Sequence, residues 1–153
     1  MRVRELMTPN PEVCTEMETC AAAGRLMERR RCGFMPIVNS RMALRVVGVV
    51  TDRDIALHLA RTDKCASNVA VGECMSTPAR CIGPDEELET AAELMERTAA
   101  RRLPVVQEGR LVGVLSVDDL ARIAGRQWAV SGPHVVERQM TEIIESVAQT
   151  QAP

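Results

Sequence analysis

Val47-Gly48-Val49-Val50-Thr51-Asp52-Arg53-Asp54-Ile55-Ala56 runs from a β-branched apolar stretch into a hydroxyl and, three residues on, a carboxylate, where the pattern turns helical. At an offset of 65, Val112-Gly113-Val114-Leu115-Ser116-Val117-Asp118-Asp119-Leu120-Ala121 restates it. A buried strand feeding a helix start, present twice, makes the chain a tandem repeat.

Upstream the register is 68. Val3-Arg4-Glu5-Leu6-Met7 faces Val71-Gly72-Glu73-Cys74-Met75, Leu26-Met27-Glu28-Arg29 faces Leu94-Met95-Glu96-Arg97, and Met35-Pro36-Ile37-Val38 faces Leu103-Pro104-Val105-Val106. The change of offset leaves three extra residues in the first copy's turn, within 39–45, where the second copy has the shorter Gln107-Glu108-Gly109-Arg110. Surface turns tolerate such insertions. Each copy reads as helix, strand, turn, strand, helix. Cys20, Ala23, Gly24 and Met27, and again Leu88, Ala91, Ala92 and Met95, fall at i, i+3, i+4 and i+7 and mark one buried face per helix. Strands are predicted at 35–38, 46–50, 103–106 and 111–115. The sequence units are residues 1–62 and 69–126, separated by a polar linker. After Gly132-Pro133, which can open a helix, Val136, Met140, Ile143 and Val147 form an apolar seam, so an amphipathic helix is predicted over 133–150.

Composition narrows the function. The 153 residues carry 19 Lys+Arg against 21 Asp+Glu, so no broad attraction to nucleic acid follows from net charge. Phe34 and Trp128 are the only aromatic residues, too few for a base-stacking surface. The opening residues lack the apolar core of a signal peptide, and no window approaches the roughly 18 apolar residues of a membrane span. A soluble cytoplasmic protein is the expectation. The six cysteines form no Cys-x-x-Cys pair and most read as reduced core thiols, with neither a metal site nor a disulfide framework expected. His58 reads as half-buried packing. Neither histidine neighbours a Ser or Cys at a catalytic spacing, so no catalytic residue is assigned.

Thr51-x-x-Asp54 and Ser116-x-x-Asp119 allow two readings. Either pair can be a helix capping box. Alternatively the helix start, with free N–H groups and dipole, receives a phosphate, the hydroxyl adds a donor, and the carboxylate accepts from a ribose diol. The copies differ in their cations. Arg53 lies in the first segment, while Arg101 and Arg102 precede the second copy's Leu103-Pro104 strand and Asp118 stands where Arg53 would be.

The openings Met7-Thr8-Pro9 and Met75-Ser76-Thr77-Pro78, the Pro-Ile-Val and Pro-Val-Val strands and the Gly-apolar-apolar-Thr/Ser-x-x-Asp segments recur in one order over about residues 3–125. In this the chain resembles a tandem pair of CBS domains, the modules named for cystathionine β-synthase. The resemblance implies an α/β (α+β) fold of two β-α-β-β-α repeats about a pseudo-twofold axis, with adenosine ligands in clefts lined by both. It implies a nucleotide-binding set of Thr15, Phe34, Met35, Pro36, Gly48, Thr51, Arg53 and Asp54 in the first copy. In the second copy the set is Gly83, Arg101, Arg102, Leu103, Pro104, Gly113, Ser116 and Asp119. Thr/Ser would contact phosphate and Asp the ribose; apolar side chains and backbone would hold the adenine, and Phe34 reads as core. AMP, ADP or ATP lead as ligands, with S-adenosylmethionine or NAD(H) behind them, and no cofactor is required. The implied role is a stand-alone regulatory energy sensor, a homodimer of four repeats acting on an unknown partner protein. The alternative is a ligand-free dimerisation or partner-binding scaffold acting through the C-terminal helix.

Overall fold

The computed structural model describes residues 1–123. The predicted helix over 133–150 lies outside the described residues, as does His134. In chain order the elements are β1 (Thr8–Pro9), β2 (Cys14–Thr15), α1 (Cys20–Arg30), β3 (Phe34–Val38), β4 (Val46–Thr51), α2 (Asp52–Thr62), α3 (Leu88–Thr98), β5 (Arg102–Gln107), β6 (Arg110–Ser116) and α4, helical from residue 117. The four predicted strands and the helices of both copies are present. The result is a mixed α+β fold with two three-stranded sheets, β2-β3-β4 and β1-β6-β5.

Two compact units result. One comprises Asn10–Ala79 with Glu108–Leu111; the other comprises Met1–Pro9, Arg80–Gln107 and the chain from Val112. The sequence repeats and the packing units therefore differ at their openings. In the first unit, β2 runs parallel to β3 (Cys14 opposite Ile37) and β3 antiparallel to β4 (Met35 opposite Val50). Residues 69–76, which the repeat assigns to copy two, close this unit. Cys20 N donates to Val69 O at 2.8 Å, Val71 N to Glu18 O at 2.8 Å, and Val49 and Ser76 exchange backbone hydrogen bonds at 2.8 and 3.0 Å. Val69 and Val71 are fully buried with Cys20, Ala23, Met27, Met35, Ile37, Val50 and Ile55.

The second unit is built alike. Here residues 1–9 supply the opening: Val3 N donates to Glu86 O, Arg4 N to Pro84 O, and Thr8 lies opposite Val114 in the β1–β6 ladder. Val3 is fully buried among Leu88, Ala91, Ala92, Met95, Leu103, Val105, Leu115 and Leu120. Ion pairs of Arg2 with Glu87 and Arg4 with Asp85 lie over this contact.

Helix α1 corrects one expectation. Cys20, Ala23 and Met27 are buried, but Gly24 faces solvent, and a Cβ built there meets nothing within 4 Å. Its glycine satisfies no packing constraint and leaves the unfolded chain freer. Gly24→Ala is expected to stabilise the fold by about 0.5–1 kcal/mol, read as a raised urea midpoint at unchanged m-value. The thiols also differ from expectation. Cys14 and Cys20 are core, Cys32, Cys74 and Cys81 are half-buried, and Cys65 is exposed.

Candidate functional site

Each repeat's strand-to-helix turn lies within its own unit. In the first, β4 brings Thr51 to the N-cap of α2 in extended backbone. Its hydroxyl accepts from Asp54 N at 3.1 Å and donates to Asp54 Oδ2 at 2.7 Å, and the same Oδ2 accepts from Thr51 N at 2.9 Å. The capping box is therefore formed. The first helical N–H groups are also engaged: Asp52 N donates to Gly33 O at 3.2 Å and Arg53 N to Asp52 Oδ1 at 2.8 Å. This corrects the expectation of an open amide cradle, and leaves side chains as the groups that could meet an anion. Of the uncommitted groups among the described residues, the Arg53 guanidinium, which has no partner, is the one that could meet an anion, whereas Asp54 Oδ1, which accepts no hydrogen bond, can only receive a donor.

The second turn repeats the box and fills what the first leaves open. Ser116 N and Oγ donate to Asp119 Oδ2 at 2.9 and 2.5 Å, and Asp119 N donates to Ser116 Oγ at 3.2 Å. Here Asp119 is 4% exposed, and its other oxygen, Oδ1, takes a hydrogen bond from Arg122. Arg102 faces Asp118 at 3.8 Å. Before the strand, Gly33 and Arg101 occupy matching places and each carbonyl accepts a backbone N–H, from Asp52 at 3.2 Å and from Val117 at 3.0 Å; a Cβ at Gly33 would lie 2.6 Å from Asp52 Oδ2.

The remaining predicted residues fall into two groups. Met35 and Leu103 are enclosed in the cores, and Phe34 is 8% exposed, so main-chain atoms are what Met35 and Leu103 offer; Pro36 and Pro104 are buried beside them in β3 and β5. Thr15 is held by Glu18, whose Oε2 accepts from Thr15 N at 2.7 Å, and Gly83 sits against the Glu86 side chain in the matching turn. Gly48 and Gly113 serve the openings: a Cβ at Gly48 would come 2.9 Å from Ser76 O, and one at Gly113 3.0 Å from Thr8 O. The reading of the sequence missed Arg122. Its signal was there, an arginine three residues after Asp119 on one helix face, where the first copy has Leu57.

Other chemistry is sparse among the described residues. Burial, reinforced by Glu18, pushes the Cys14 thiol up to about 11. Burial and the adjoining Cys20 sulfur, 3.4 Å away, push Cys74 up to about 12. At neutral pH neither offers a thiolate. No group of three or more His, Cys, Asp or Glu gathers into a metal-ligating cluster among the described residues. No described helix is long and apolar enough to cross a membrane. A groove of about 740 Å³ in the first unit includes none of the predicted site residues; Arg30–Glu12 and Arg41–Glu18 pairs line it.

With this geometry in hand, comparison with known proteins places the chain. The family model described as CBS domain matches residues 3–61 and 71–126. The uncharacterized protein MJ1225 of Methanocaldococcus jannaschii is 33% identical over 127 residues, 83% of this chain and 44% of that protein. The CBS domain-containing protein YhcV of Bacillus subtilis is 34% identical over 119 residues, 78% of this chain and 82% of that one. Among solved structures, CBSX2 in complex with AMP superposes with a TM-score of 0.69 at 30% identity, over 82% of this chain and 96% of that one.

Proposed function

This chain belongs to the CBS domain family, and from that premise we propose that it is a non-catalytic regulatory module that binds an adenosine-containing ligand and signals occupancy to a partner protein. The observation that carries the reading is the Thr51–Asp54 turn. It holds a carboxylate with one oxygen committed to the cap and the other uncommitted among the described residues, and the residue before it in the chain, Arg53, supplies a guanidinium. A ribose diol can donate to Asp54 Oδ1, and Arg53 can meet a phosphate. The AMP complex of the CBSX2 structure supports that ligand class.

AMP, ADP and ATP are the first candidates, followed by S-adenosylmethionine and NAD(H). A homodimer of four repeats in the cytoplasm, answering to adenylate levels, fits such a role. The coupling such a switch transmits is typically about 1–3 kcal/mol.

The test is a thermal-shift screen of the whole protein against these compounds with GTP as control, followed by calorimetry. A ligand that binds only the folded state raises the apparent Tm. A saturable rise with an adenosine compound and not with GTP is expected, and Asp54→Ala should weaken binding at least about tenfold, the loss of a hydrogen bond to a charged group. No shift with any adenosine compound would overturn the reading in favour of a ligand-free scaffold.

A further inference from the structure

The two turns have the same cap and differ in what surrounds it. In both, Oδ2 of the aspartate accepts from the backbone N–H and the hydroxyl of the N-cap residue, so a ribose diol must be received by Oδ1. At Asp54 that oxygen accepts no hydrogen bond among the described residues. At Asp119 it is bonded by Arg122, a charge-assisted contact to a carboxylate only 4% exposed. The side chain at the matching position of the first copy, Leu57, has no donor. The phosphate end is set against the second turn as well. Asp118 occupies the place of Arg53, and Arg102 lies 3.8 Å from Asp118.

We propose that Arg122 is a specificity-determining residue that closes the second turn to ribose, so that each chain takes one adenosine ligand, at the Thr51–Asp54 turn. This rests on the adenosine-binding reading above and adds where and how many. A diol competing for Asp119 Oδ1 must displace a cation, and the ligand's hydroxyls are neutral donors. They replace a charge-assisted bond with weaker ones and leave a buried carboxylate without its counter-charge. The Arg122 side chain is itself 66% exposed, so its removal need not disturb the core.

The experiment is calorimetric titration of the whole protein with AMP, comparing wild type, Arg122→Leu, Arg122→Lys and the double variant Arg122→Leu/Asp119→Asn, each checked for a native circular-dichroism spectrum. Wild type is expected to bind one AMP per chain. Arg122→Leu, which installs the first copy's residue, should add a second event by strengthening the second turn about tenfold, the worth of one charge-assisted hydrogen bond. Arg122→Lys should keep the single event, and Asp119→Asn in the Leu background should remove the added one. A role of Arg122 in folding alone would move Tm and not stoichiometry. Two equal sites in wild type, or an isotherm unchanged by Arg122→Leu, would overturn the proposal while leaving the adenosine reading intact. Absence of AMP binding in all four proteins, with the other adenosine compounds also silent, would overturn both.

Discussion

A chain of residues 1–68 is expected to remain unfolded, whereas residues 10–79 should unfold cooperatively on heating. The first is the sequence repeat with its own opening; the second is the packing unit with the opening that closes it. Residues 1–68 lack Val69 and Val71, both fully buried, and lack Ser76, whose backbone pairs with Val49. Each missing valine forfeits about 1.5–3 kcal/mol of burial. The opening it keeps, Val3 to Pro9, pairs its backbone with Pro84, Glu86 and β6, all of which this fragment lacks. A unit of this size is marginal even when complete, and 10–79 also lacks Leu111, which packs on Val13 and Val38. Far-UV circular dichroism against temperature separates the two. Equal cooperative transitions would show that the exchanged opening is dispensable.

Gly113→Ala is expected to destabilise the protein by about 2 kcal/mol, and Gly48→Ala by a similar amount, in urea unfolding. At Gly113 the added Cβ would stand 2.6 Å from Met7 Sδ and 3.0 Å from Thr8 O; at Gly48, 2.8 Å from Met75 Sδ and 2.9 Å from Ser76 O. A methionine end can swing aside, but the carbonyls belong to backbone held in the ladder. Val49 and Ser76 exchange two hydrogen bonds, and Pro9 lies opposite Gly113. Relief therefore requires the opening to lift from the strand, with loss of ladder bonds and of burial at Val71 or Val3. Gly24→Ala is the internal control, the same change at a glycine with open space, and should move in the opposite direction. Neutral behaviour at 113 and 48 would show the openings to be loosely seated.

Much of this was legible in the chain itself. The doubled pattern of apolar strands, the spacing of Leu88, Ala91, Ala92 and Met95, and the recurrence of Thr-x-x-Asp as Ser-x-x-Asp depend on local geometry, so periodicity exposes them. The capping boxes were legible for the same reason, since all their atoms come from four consecutive residues. Gly24 misled because its spacing matched the buried face while its position on the helix surface was decided by what lies opposite. Gly48 and Gly113 were visible as part of a motif, but their function in admitting an opening was not.

By itself the sequence determined the repeat, the order and kind of the elements, and the residues that cap each strand-to-helix turn. Those follow from interactions between neighbours along the chain. The tertiary structure alone decided which opening completes which core, that the first N–H groups of α2 are already bonded, and that Arg122 holds the one oxygen of Asp119 that its counterpart at Asp54 leaves uncommitted. Two openings with the same pattern, Val3 to Met7 and Val71 to Met75, fit either core by composition. Only long-range backbone pairing, across sequence separations from 27 residues (Val49 to Ser76) to 106 (Thr8 to Val114), chooses between them.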